Sequence, residues 1–228
     1  MSQISSTNFD FLNKVAVNNN REWFAENKDE YIRQHQNMID FADDLLQSVN
    51  KHDNIETLNG KKSLYRIYRD VRFSKNKDPY KTHWAGGFKR ATKQLRGGYY
   101  FHIAPGNKTM VAGGFWNPNK DDILRIREDI AMDDSELRKI ISDKNFVTTF
   151  GELKGDQLKT APKGFPKDHD SVDLLRYKQF IVWKNFTDKE VMSKDFAQLA
   201  DKTFKAMRPF FDYMSDVLTT DVNGSPIE

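Results

Sequence analysis

The residues best equipped for chemistry lie in residues 61–83, KKSLYRIYRDVRFSKNKDPYKTH, where eight Lys or Arg stand against two acids, Asp70 and Asp78. This segment carries +6, and the rest of the chain, with 28 bases against 31 acids, carries −3. Clustered guanidinium groups repel one another unless an anion or buried acids compensate, so a phosphorylated or otherwise anionic small molecule fits the asymmetry. Arg66, Arg69 and Arg72 offer planar forks for phosphate or carboxylate oxygens, Lys77 and Lys81 add point charges, and Tyr80 adds a hydroxyl. For proton transfer the candidates are Asp70 and His102, the latter with an ordinary pKa near neutrality. In GYYFHI, strand alternation puts Tyr100 and His102 on one face and Tyr99, Phe101 and Ile103 on the other.

Each candidate has a plainer reading. The arginines could pair with acids elsewhere, Lys61, Lys62 and Lys75 could form a solvated loop, and His102 could be a satisfied sheet histidine. Three function classes follow: a pocket protein or enzyme for a phosphorylated small molecule; a nucleic-acid module in which Tyr68, Tyr80, Trp84 or Tyr100 stack bases; and a structural or interaction domain with internally paired arginines. A net charge of only +3 disfavours the second, since non-specific nucleic-acid binders spread positive charge along a face.

Other motifs carry less. Asp168-His169-Asp170 has a ligand-like composition, but neighbouring residues of an extended chain point to opposite sides and no second His stands at ligand spacing, so no metal is expected. Gly113-Gly114 allows close backbone approach, with a neighbouring strand as the first expectation. It is no phosphate loop, because no Gly-Lys-Ser/Thr follows. A serine triad has no Gly-x-Ser-x-Gly elbow to stand on. The absence of Cys excludes disulfides and thiolate chemistry, and no cofactor is implied. No apolar leader or membrane-length apolar run occurs, so a soluble cytoplasmic protein is expected.

The elements that must hold these residues are read from periodicity. Phe9, Leu12, Val15 and Ala16 make a first helical stripe, which Asn18-Asn19-Asn20 ends. A long second pattern runs from Trp23 to Val49, with a break near Asn27. Residues 64–73 read as a strand, with Tyr65, Ile67, Val71 and Phe73 on one face and an end or bend at Arg69 that gathers the arginines. Strands over residues 84–89, 98–104 and 109–116 follow, the last two joined by a Pro105-Gly106-Asn107 hairpin. Asn117-Pro118-Asn119 starts a helix with Asp121 and Asp122 in its first turn, and a shorter helix covers 135–142. Residues 146–150, 157–160 and 180–186 read as strands and 172–177 as a short helix. Phe196, Leu199, Phe204, Met207, Phe211, Met214 and Leu218 form a long helix bent by Pro209. The expected fold is α+β: one domain over 1–228, a central antiparallel meander packed by N-terminal and C-terminal helices, with a helical part at 1–53, a sheet core at 61–186 and a helix at 190–220.

Five segments, NNNREWFAENKDEY, RIYRDVRFSKNKDPYKTHW, GGYYFHIAPG, GGFWNP and LKTAPKGFPKDH, resemble in this order the blocks of the family called domain of unknown function 2461. RIYRDVRFSK is the most specific of them, and the likeness covers nearly the whole chain. The resemblance implies that Arg66, Arg69, Asp70, Arg72, Lys77, Pro79, Tyr80 and Lys81 occupy motif positions. It implies no activity, ligand or cofactor.

Overall fold

The computed structural model describes residues 2–221 and 224–227. The chain opens with α1 (Ser6–Val17), α2 (Arg21–Glu26) and α3 (Lys28–Val49). Asn18 closes α1, and Asn20 caps α2 by accepting the Trp23 N–H. The expected break falls at Asn27, whose side chain donates to the Trp23 carbonyl at 2.8 Å. In α3 the buried Met38, Phe41, Ala42, Leu45 and Val49 recur at helical spacing and form one apolar face. A single turn, α4 (Gly60–Ser63), precedes the basic segment.

Four strands, β1 (Trp84–Lys89), β2 (Gly98–Ile103), β3 (Thr109–Phe115) and β4 (Phe180–Phe186), form an antiparallel meander in the order β1-β2-β3-β4. The β2–β3 hairpin turns through left-handed Gly106 (φ +79°) and Asn107 (φ +58°), residue types that tolerate that region. Asp188 pins the turn from far along the chain. Its carboxylate accepts the Gly106 and Asn107 N–H groups, and its own N–H donates to Asn107 Oδ1, all at 2.8 Å. Gly114, at φ +129°, lies so close to β4 that a Cβ there would sit 2.3 Å from the Phe180 carbonyl oxygen, so the glycine serves strand approach.

Between β3 and β4 come α5 (Lys120–Met132), α6 (Ser135–Ser142), α7 (Lys144–Phe150) and α8 (Val172–Leu175). After β4 come α9 (Asp188–Val191), α10 (Phe196–Ala206) and α11 (Arg208–Thr219). Asn119 caps α5 by accepting from Asp121 and Asp122. The chain divides into two compact units, the first of residues 1–88, 100–111 and 185–202, the second of 89–99, 112–184 and 203–228. In the first, Phe41 of α3 meets Phe101 of β2 edge-on and stacks on Phe196, which also meets Phe186. In the second, Tyr99 of β2 packs on Phe204 and Phe211, and Phe115 packs on Phe210 and Phe211.

Four expectations are corrected. Residues 64–73 are not a strand: the run beside 79–86 makes only isolated bridges, Leu64 with Gly86 and Tyr68 with Tyr80, and ends at Arg69. Its supposed apolar face fails as well, because Ile67 is buried while Tyr65 and Phe73 are exposed. Residues 146–150 are helical, since Asp143 caps the Asn145 and Phe146 N–H groups and Phe146 meets Phe150 one turn on. Residues 157–160 hold one bridge, Gln157 with Tyr177. The C-terminal helix is two helices, with Pro209 in the first turn of α11, where its missing N–H costs nothing.

Candidate functional site

The basic segment ties itself down with its own cations. Arg69 donates to the Asp78 carbonyl (2.9 Å) and to Ser74 Oγ (3.4 Å), and Lys77 Nζ donates to the Val71 carbonyl (3.0 Å). Arg72 grips Asp70 through Nε (3.0 Å) and Nη2 (2.7 Å). Those bonds hold the Asp70 carboxyl below its ordinary range, which suits a fixed counter-ion and not a group that exchanges protons near neutrality. Tyr80 is buried, stacked on Phe24 at 3.9 Å, with its backbone N–H and carbonyl bonded to Asn19. Its ring packs in the aromatic core against Phe24 and Tyr68. Arg66 differs from the other two arginines: among the described residues its guanidinium makes no hydrogen bond or ion pair.

Beside Arg66 the first unit assembles a run of side-chain contacts. Lys81 Nζ donates to the Arg66 carbonyl at 2.8 Å and lies 5.9 Å from the Tyr65 ring centroid. Tyr65 stacks on Tyr100 at 6.3 Å, and the Tyr100 hydroxyl lies 3.3 Å from His102 Nδ1. His102 stacks on His83 at 4.2 Å, and the charge of Lys81 reaches back to His83. Alternation in β2 does place Tyr100 and His102 on the half-buried face, opposite the buried Tyr99, Phe101 and Ile103.

The electrostatics have one sign. Burial, the neighbouring His102 and the Lys81 charge lower the His83 pKa to about 4. Burial lowers that of His102, and burial and then Arg66 lower that of Lys81. No carboxylate contributes to any of these shifts. Two neutral imidazoles and Lys81 therefore share a part-dried surface with no carboxylate acting on them, while the Arg66 charge acts on Lys81 and also on Asp70, whose carboxyl it helps to lower.

Residues 7–213 match the family model described as Conserved hypothetical protein (DUF2461). The chain belongs to that family. No curated protein and no solved structure matches it. Of the residues singled out in the basic segment, Lys81 and the Arg66 carbonyl join this set of contacts, Arg69, Asp70, Arg72 and Lys77 brace the loop, and Tyr80 lies in the core. His83 escaped the sequence reading because it sits in a run dominated by Lys and Arg. The signal was there in KTHW, where Lys81 and His83 alternate into β1 as Tyr100 and His102 do in β2.

In the second unit an open cavity of about 810 Å³ is lined by Glu136, Asp143, Asp212 and Asp216 beside Tyr213 and Phe146, the wrong sign for phosphate. His169 Nδ1 accepts the Ser171 N–H at 3.1 Å, so this nitrogen serves a turn. Among the described residues no helix is long and apolar enough to cross a membrane, and no group of three or more His, Cys, Asp or Glu could hold a metal.

Proposed function

We propose that the protein binds a phosphorylated small molecule at the Arg66, Lys81, His83 and His102 face of the first unit. The observation that carries this reading is the stacked histidine pair at 4.2 Å, kept neutral beside Lys81 with no carboxylate acting on either ring. A bound phosphate would favour the charged imidazoles and raise both depressed pKa values, so binding takes up protons. Tyr100 orients His102 through Nδ1, which makes His102 the group to give or take a proton in any reaction at the site.

The test is a set of thermal and urea melts with phosphate, phosphomonoesters and neutral analogues. Millimolar ligand at a Kd of about 0.1 mM should add roughly 1.4 kcal/mol of stability. Titration calorimetry in two buffers of different ionisation enthalpy should reveal proton uptake on binding near pH 6. No stabilisation beyond that from chloride, or stabilisation retained when Arg66→Ala and His102→Gln are combined, removes the reading.

A further inference from the structure

Beside that site the chain displays aromatic rings of a different kind. Phe73 is 96% exposed, and Tyr65 and Tyr68 are 51% and 52% exposed, three aromatics within nine residues. Single exposed apolar residues are ordinary, but a row of them interleaved with cations needs an occupant. Phe73 is the extreme case, with the Arg72 guanidinium 6.0 Å from its ring centroid.

The loop beneath Phe73 is pre-set. Arg69, Lys77 and the Arg72–Asp70 pair tie residues 69–78 internally, Ser74 N–H closes on the Val71 carbonyl at 3.3 Å, and Asp78 N–H closes on Asn76 Oδ1 at 2.7 Å. A loop so braced holds its aromatic outward and loses little freedom when something binds. Around it, Lys75 is a cation without a bonded partner among the described residues.

We infer that this strip, Tyr68 and Phe73 with Arg72 and Lys75, is a docking surface for single-stranded nucleic acid, with bases stacked on the rings and phosphates answered by the cations. The basic balance of the segment favours an anionic partner, and the exposed Phe73 ring, with the half-exposed Tyr68 that rests on Phe24 and Tyr80, suits unpaired bases, which stack without regard to sequence. An anionic bilayer satisfies the charge but not the rings: reversible membrane binding draws on a broad apolar helix face, and here one phenyl ring stands at a loop tip with no helix behind it. Duplex hides its base faces and leaves the rings without use.

The experiment is fluorescence anisotropy of the full chain with labelled twelve-nucleotide oligothymidylate and oligouridylate, a duplex of equal length, and vesicles containing one-third phosphatidylserine. The single strands should bind most tightly, with affinity falling with salt at a logarithmic slope of about −0.7 per phosphate contacted. Phe73→Ala should weaken binding roughly 5- to 150-fold, the range for loss of one stacked base, and should leave the melting temperature unchanged. Phosphate stabilisation at the histidine face should survive in Phe73→Ala, which separates this surface from that site. Undetectable oligonucleotide binding, equal affinity for duplex, unchanged affinity in Phe73→Ala, or binding to vesicles alone overturns the inference.

Discussion

Cations in the two compact units live under different rules. In the second unit Arg90 has no side-chain exposure, yet Nη1 donates to the Arg96 carbonyl (2.8 Å) and Ser215 Oγ (3.2 Å), and Nη2 donates to Asp212 at 2.7 Å. Arg138 bridges Asp134 and Asp173, Arg96 pairs with Asp122, and Arg127 donates to the Leu175 and Tyr177 carbonyls. On the histidine face of the first unit, Lys81 donates to a carbonyl and lies against the Tyr65 ring, and Arg66 makes no hydrogen bond or ion pair among the described residues, though its charge acts on Asp70. The arginines that build this fold are held by carboxylates and carbonyls, whereas Arg66 makes no hydrogen bond or ion pair among the described residues, the contrast on which the proposed anion site rests.

The largest effect should come from Arg90. Arg90→Met removes the partner of Asp212, the Arg96 carbonyl and Ser215 together, and should cost about 3 to 5 kcal/mol in urea melts. A loss below about 1 kcal/mol would erase the contrast.

A smaller effect should appear with pH. The His83 pKa is about 4 when folded against an ordinary 6.5, so between those values the unfolded chain binds more protons and stability rises with pH. His83 therefore penalises the fold progressively as pH falls from 6.5 to 4, by about 1 kcal/mol after allowance for solvent screening of a half-buried ring. His83→Gln should flatten this part of the profile relative to wild type, and phosphate should flatten it in wild type by raising the same pKa. A variant profile parallel to wild type would mean that the ring titrates normally.

The smallest effect is expected at Arg66. With nothing bonded to its guanidinium, Arg66→Ala should change stability by less than about 0.5 kcal/mol in anion-free buffer while abolishing stabilisation by phosphate. A loss above about 2 kcal/mol would make Arg66 a structural arginine like Arg90.

Much of the frame was legible in the residues. The four strands, the asparagine caps and α5 were readable because alternation, β-branched content and capping signals agree there. The basic segment misled because its Ile, Val and Tyr content favours extension while its cations prefer carbonyls of their own loop, which leaves two isolated bridges. Residues 146–150 misled through Val147, Thr148 and Thr149, whose strand preference loses to the Asp143 cap and the burial of Phe146 and Phe150 one turn apart. Within the site, Tyr100 and His102 followed from period two. The His83 stack and the freedom of Arg66 did not, because both depend on which segments meet across the β1 edge, a matter of tertiary pairing.

The Asp188 clasp on the β2–β3 turn also sets an order of events. Its two backbone partners and its own N–H join residues 81 and 82 positions apart. A ribosome adding about 5 to 20 residues per second emits Asp188 roughly 4 to 16 s after Asn107. During that interval the hairpin that carries Tyr100 and His102 exists without its clasp. The strand that carries Tyr100 and His102 is thus made before the contact that clasps its turn, and the nascent protein has its histidine in hand before Asp188 can hold the hairpin.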